Sequence, residues 1–242
     1  MEAWNGRSLA GRSGGEGGGT KAIASLLGVM VGISGLDHGF FETLQGNSPT
    51  PALIVKAIGP DQRMWVHGTE EALTLVPNYL VSGLLAISVA VLAIVWSLRF
   101  IGRPRGSLAF LGLGVLLLLV GGGVAMFAFV LFTWAVARRI HRPLTWWRAI
   151  VPTAVGRTLA RRWPFLVVVA LALYAFALEV AIVGVVPGVA NAETRLYICW
   201  LSLLVMVGVI VVALIGASAQ DLAANTDAAA DTAASTAEAG TR

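Results

Sequence analysis

The sequence predicts an all-α polytopic membrane protein, a bundle of transmembrane helices. Of its 242 residues, 57% are hydrophobic and only 12% are Asp, Glu, Lys or Arg. Several apolar runs reach the roughly 20 residues that a helix needs to cross the hydrocarbon core of a bilayer. Soluble domains are nearer half apolar and a quarter charged. A chain of this length has to place the surplus of apolar side chains against lipid.

Four apolar runs predict full spans within a single helical domain, residues 21–217. The runs cover residues 22–41, 72–98, 165–186 and 196–217. A polar loop, residues 42–71, joins the first two spans on the outer side. The Gly-rich segment 1–20 and the Ala/Thr/Asp-rich segment 218–242 are of low complexity, and we predict that both are disordered tails.

The third apolar segment, residues 108–137, has a length that fits neither one crossing nor two. It has 30 residues, whereas one crossing needs roughly 20 and two need roughly 40. Gly121, Gly122 and Gly123 lie at its middle, and each weakens a helix by about 1 kcal/mol relative to alanine. The segment forms either a broken, re-entrant pair of half-helices or one long tilted helix, which would make five simple spans.

The distribution of Lys and Arg favours the re-entrant pair. Cytoplasmic loops carry an excess of these residues. With the N-terminus inside and a re-entrant third segment, 14 of the 17 Lys and Arg residues lie inside, whereas a single crossing leaves 7 inside and 10 outside. We therefore predict four full spans plus the re-entrant pair, with both termini cytoplasmic. The basic segment 138–163, with seven Arg, is expected to be an interfacial helix interrupted by Pro152.

No motif of a familiar catalytic, cofactor-binding or nucleic-acid-binding chemistry stands out. HExxH, CxxC, GxGxxG, phosphate-loop and nucleophile-elbow patterns are missing from the sequence. The net charge of +4 comes from Arg at the ends of apolar runs, which is a membrane-orientation pattern. Cys199 is the only cysteine, so no intrachain disulfide forms. We expect no cofactor, no metal and no nucleic acid.

Polar residues near the outer end of the first span form the candidate site. Asp37, His38 and Glu42 are ionisable groups at the end of an apolar helix, where charge is expensive. Asn78 starts the second span and Glu179 lies within the fourth. In the re-entrant topology His38, Glu42, Asn78 and Glu179 all fall in the outer half of the bilayer. They form either a polar, proton-handling site or a set of groups that cap helices and satisfy one another.

Small residues form a stripe along the first span and predict a close helix contact. They recur at steps of three and four residues: Ser25, Gly28, Gly32, Gly35 and Gly39. His38 and Glu42 lie near this stripe, so we expect both to face another helix, and Asp37 to point to a different neighbour or to the lipid headgroups.

Four parts of the chain together resemble an uncharacterised family of small prokaryotic polytopic membrane proteins. They are Gly35–Pro49, Pro77–Asn78, the triple glycine and Arg142–Arg148. The resemblance implies a bacterial or archaeal cell membrane. It carries over no activity and no functional residues.

Three functions fit these observations. The preferred one is a non-enzymatic, transporter-like protein or subunit of a membrane complex, in contact with the lipid bilayer. Because the chain is short, it would act as a homo-oligomer or with a membrane-protein partner. The alternatives are a membrane-embedded enzyme that uses His38 and Glu42 at the outer interface, and a purely structural or regulatory membrane component.

The predicted orientation can be tested with single cysteines in the basic segment. We expect Thr145→Cys and Thr158→Cys, each in a Cys199→Ala background, to resist an impermeant thiol reagent in intact cells, because seven Arg hold this segment inside. The same cysteines should react after lysis. Efficient labelling of both positions in intact cells would contradict the re-entrant topology.

Overall fold

The structure, a computed structural model, describes residues 18–142 and 144–240. The predicted all-α fold is confirmed, with a single two-stranded antiparallel sheet added to the helices described. The elements are α1 (Gly18–Leu44), β1 (Ile54–Lys56), β2 (Glu71–Leu73), α2 (Tyr79–Arg99), α3 (Gly106–Leu119), α4 (Met126–Ala137), a short 3-10 helix (Trp146–Ala149), α5 (Thr153–Val183) and α6 (Ala192–Gly240). Among the described helices, α1, α2, α5 and α6 are long and apolar enough to cross a membrane. The protein is therefore an integral membrane protein.

The helix ends define two faces of the bundle. The hairpin face holds residues 45–78, which include β1 and β2, and the connection 184–191. The arginine face holds the connection 100–105 and residues 138–142 and 144–152. α1 begins at the arginine face, where the Lys21 side chain lies beside the Gly102 backbone. It ends at the hairpin face, from which α2 returns.

Asp221 of α6 holds the first turn of α1 at the arginine face. Its carboxylate accepts hydrogen bonds from the backbone N–H groups of Gly19 and Thr20, at 2.8 and 2.9 Å, and from the Thr20 hydroxyl at 2.7 Å. The first N–H groups of a helix have no partner within the helix, and a carboxylate both pairs with them and favours the helix dipole. The last span is therefore tied to the first.

Helices α3 and α4 form the re-entrant pair. With 14 residues, α3 is about 21 Å long and runs from the arginine face to the glycine break, residues 120–125. After α4 the chain is again at the arginine face, where His141 Nε2 lies 3.0 Å from the carbonyl oxygen of Gly102. The segment thus enters and leaves by one face, as the Lys and Arg distribution predicts.

The second span begins later than the predicted residue 72. Residues 71–73 form β2 and pair with β1. α2 then begins at Tyr79, and the side-chain oxygen of Asn78 caps it by accepting a hydrogen bond from the Val81 N–H at 3.1 Å. The apolar residues before Pro77 therefore belong to the hairpin face.

The basic segment does not form the expected interfacial helix. It contains the short 3-10 helix, and α5 then begins at Thr153 and continues through Pro164. Pro152 directly precedes α5, where a missing N–H removes no helical hydrogen bond. With 31 residues, α5 is about 46 Å long, so its first turns lie at the arginine face, before the apolar span that was expected to begin at 165.

The segment predicted as a C-terminal disordered tail continues α6 to Gly240. Alanine is the strongest helix former, and it dominates this segment. Ser218 and Asp221 are buried, so the first turn beyond the apolar run belongs to the bundle. Of the N-terminal tail predicted over 1–20, residues 1–17 lie outside the described part of the chain, and the rest start α1.

Glycines of the small-residue stripe lie against α2. A Cβ added at Gly39 would lie 2.7 Å from the carbonyl oxygen of Gly83, and one at Gly32 would meet the Ile94 side chain. At Gly35 the nearest atoms belong to Leu117 of α3, at 2.8 Å. Gly28 faces Ser97 and Phe110 in the same way, and Ser25 is half-buried. Only glycine lets these helices approach so closely.

We expect Gly32→Leu and Gly35→Leu each to lower the free energy of unfolding by about 1–3 kcal/mol, because overpacking forces the helices apart. Thermal unfolding in detergent measures this. Gly112→Leu and Gly208→Leu are matched controls, since a Cβ at either position meets nothing within 4 Å. Equal stability of all four variants would show that α1 tolerates a wider spacing from its neighbours.

Candidate functional site

An ion pair joins α1 to the loop of the hairpin face. His38 is 2% exposed, and its Nε2 lies 2.5 Å from Oε2 of Glu70, whose side chain is 45% exposed. Glu70 directly precedes β2, and its carbonyl oxygen accepts a hydrogen bond from the Ala57 N–H at 2.9 Å, next to the pairing of the two strands. The hairpin therefore places the Glu70 carboxylate at the end of α1 that lies at the hairpin face.

Glu42 lies one helical turn after His38 and is 0% exposed. The Ser82 hydroxyl lies beside it, but Ser82 Oγ already sits 2.7 Å from Thr74 Oγ1 and 3.0 Å from the carbonyl oxygen of Val120. Neither Glu42 carboxyl oxygen has a hydrogen-bond partner among the described residues, and His38 Nδ1 has none either. Three buried polar atoms are thus left without partners at one place, which is rare in folded proteins.

The glycine break between α3 and α4 packs directly on these two side chains. Gly121 and Gly123 have φ angles of 102° and 88°, in the left-handed region that favours glycine. A Cβ at Gly123 would lie 2.6 Å from His38 Cε1 and Nε2, and one at Gly121 would overlap the Glu42 carboxyl. The break therefore needs glycine for two reasons, the backbone conformation and the approach to His38 and Glu42.

Asp37 faces a cavity of about 290 Å³ between two groups of helices. α1 and α4 form one wall, and α5 and α6 form the other; Ile58 and Glu70 close it at the hairpin face. Its other polar side chains are Ser34 and Tyr174. The Tyr174 hydroxyl donates to the carbonyl oxygen of Met30 at 3.1 Å. Asp37 is half-buried, and among the described residues no hydrogen bond or ion pair engages its carboxylate.

Asn78 and Glu179 stand apart from this group. Asn78 caps α2 and donates to Asn47 Oδ1 at 2.7 Å, so its amide has a structural role in the loop. Glu179 is half-buried on α5, does not line the cavity, and makes no hydrogen bond or ion pair with His38 or Glu42. The structure thus brings together Asp37, His38 and Glu42 of the predicted site and adds Glu70, which the sequence analysis did not select.

The electrostatics of Glu70 follow from its partner. Burial raises the pKa of the Glu70 carboxyl, but the hydrogen bond from His38 and the charge of the imidazole outweigh burial, so the pKa lies below the usual 4.5. Within the described residues, no three His, Cys, Asp or Glu side chains are grouped so that they could hold a metal ion. The arrangement is suited to binding and exchanging protons.

Comparison with known proteins found no matching family model, no matching curated protein and no matching solved structure. The site itself defines the protein as a polytopic membrane protein with a buried histidine–carboxylate group under a broken helix pair.

The ion pair predicts a pH-dependent difference between wild type and Glu70→Gln. Because folding lowers the pKa of Glu70, the pair contributes stability above the usual pKa of about 4.5 and loses it as the pH falls further. The melting temperature in detergent should therefore be lower for Glu70→Gln at neutral pH, and the difference should shrink in acid. Glu71→Gln is the control, since Glu71 pairs with Lys56 at the surface and such pairs contribute little. A difference that stays constant into acid would rule out this role of Glu70.

Proposed function

We infer that the protein is a small transporter-like protein of a prokaryotic cell membrane, in which His38, Glu42 and Glu70 bind and release protons. The observation that carries this proposal is the set of unpartnered polar atoms, His38 Nδ1 and both Glu42 oxygens, buried under the glycine break. Ionisable groups inside membrane helices mark ion pathways and proton relays. Discontinuous helices form the binding sites of many transporters.

A purely structural role for these side chains is the weaker explanation. Structural polar groups are normally hydrogen-bonded, and each buried group left unpaired costs about 1–3 kcal/mol. Glu42 is surrounded by the first turns of α2 and the glycine break, where an apolar side chain would pack at lower cost. A carboxyl with free lone pairs one turn from a histidine is useful when protons have to arrive and leave.

The two groups of helices on either side of the cavity, α1 with α4 and α5 with α6, could move relative to each other, as transport requires. At the arginine face they are joined by the Asp221 hydrogen bonds to α1. At the hairpin face, Trp65 Nε1 donates to the carbonyl oxygen of Ala181 at 3.0 Å, and His67 pairs with Glu193 at 2.9 Å. The cavity lies between these two sets of contacts. Rocking of α5 and α6 against α1 and α4 would open one end while the other stays closed, as in alternating access.

The Lys and Arg bias supports the orientation. The arginine face would be cytoplasmic and the hairpin face external, so that His38 and Glu42 exchange protons with the outer medium. The resemblance of Gly35–Pro49 and the other segments to small prokaryotic membrane proteins supports the cell membrane as the location. We propose that the protein acts as a homo-oligomer, since a short chain has few helices with which to surround a transport pathway.

Charge displacement on a solid-supported membrane tests the proposal without a known substrate. A step to acid pH should produce a transient current in proteoliposomes, because protons enter a buried site. His38→Gln and Glu42→Gln should each reduce the displaced charge, because each substitution removes a group that binds a proton in the site. Glu179→Gln, which removes an intramembrane acid outside the site, should leave the current intact.

Folding of each variant is checked by its melting temperature in detergent. Equal currents in the wild type, the two site variants and protein-free liposomes would overturn the proposal. So would loss of the current in Glu179→Gln alone.

A further inference from the structure

The cavity beside Asp37 is lined mainly by apolar side chains, as small-molecule sites are, and its charged lining residues are all acidic. Its volume of about 290 Å³ is at the lower end of the range for small-molecule pockets, about 300–1,000 Å³. Its charged lining residues are Asp37 and Glu70, and neither Lys nor Arg takes part. His38, which does not line the cavity, already pairs with the Glu70 carboxylate. The Asp37 carboxylate is therefore the anionic group available to an occupant.

Aromatic side chains on three different helices face the same space. Phe129 of α4, Tyr174 of α5 and Trp200 of α6 line the cavity. Aromatic faces attract a positive charge within about 6 Å, and quaternary ammonium ligands are recognised in this way. Met30 and Met126 complete the apolar wall, and methionine adapts to ligands of different shape. A cation with an apolar body would pair with the carboxylate, lie against the aromatic rings and pack on the methionines.

We propose that this cavity binds a small hydrophobic monocation, of the alkyl- or arylammonium class, with the charge at Asp37 and the apolar part among Phe129, Tyr174 and Trp200. This proposal names the substrate class for the transporter-like function inferred above and rests on it for its physiological meaning. Binding itself needs only the cavity. A lipid acyl chain, the competing occupant of an apolar cavity inside a membrane, would make no use of the carboxylate.

Binding of benzyltrimethylammonium to the purified protein in detergent tests the proposal, measured by calorimetry and by the rise in melting temperature. Neopentylbenzene is the neutral probe of the same shape. We expect saturable binding of the cation and at least tenfold weaker binding of the neutral probe. Asp37→Asn should weaken cation binding about tenfold and leave the neutral probe unaffected. Phe129→Leu should weaken cation binding several-fold.

Asp61→Asn is the matched control, because Asp61 is exposed in the loop and outside the cavity, and it should bind the cation as the wild type does. Binding of both probes with equal affinity, or no effect of Asp37→Asn in a folded variant, would assign the cavity to an apolar occupant and overturn the proposal. No saturable cation binding by the folded wild type would overturn it as well.

The two proposals fail separately. Cation binding without a proton-dependent current would leave the cavity assignment standing and remove the proton-handling function. A current that depends on His38 and Glu42, without cation binding, would support the proton-handling function and overturn the cavity assignment.

Discussion

The backbone hydrogen bonds between β2 and the glycine break are the interaction on which the rest of the site depends. Non-helical backbone at membrane depth needs partners, because lipid offers none. Here the Gly121 N–H donates to the carbonyl oxygen of Leu73 at 2.9 Å, and the Val124 N–H donates to that of Glu71 at 3.0 Å. The broken helix pair and the hairpin are therefore one structural unit, and neither forms its full set of backbone hydrogen bonds without the other.

This unit explains why the ionisable side chains meet where they do. The register of β2 against the break sets the position of Glu70 over His38, and the same register presses two glycine backbones against His38 and Glu42. A shift of the hairpin by one residue would turn alternate side chains to the other side and would break the ion pair. The loop of the hairpin face thus contributes a residue to the site. Because the glycine break packs against the His38 ring, a movement of α3 and α4 would displace the imidazole.

Much of the fold could be predicted from the sequence, because bilayer thickness and arginine placement constrain helical membrane proteins strongly. The length of the third apolar segment and its triple glycine left two topologies open, and the distribution of Lys and Arg favoured the re-entrant pair. The polar end of α1 indicated the candidate site. Glu70 could not be selected, since its role depends on a hairpin whose strands have three residues each and leave almost no pattern. The prediction for residues 218–240 differs from the structure because an alanine-rich, low-complexity sequence is compatible with both a disordered tail and a helix. The role of Asp221 could not be predicted, since it depends on the first turn of α1 lying beside it.

The Asp221 contact also has a consequence for the order in which the protein is made. Among the described spans α1 is synthesised first, yet the carboxylate that holds its first turn follows the apolar part of α6 in the sequence and is synthesised after it. Until Asp221 has been synthesised, the Gly19 and Thr20 amides lack the carboxylate that accepts their hydrogen bonds. The contacts of α5 and α6 with the hairpin face can therefore form before the Asp221 contact, which joins α6 to α1 at the arginine face. A chain that stops before Asp221 would keep the packing of α1 on α2 and would lack the hydrogen bonds that tie α6 to the first turn of α1.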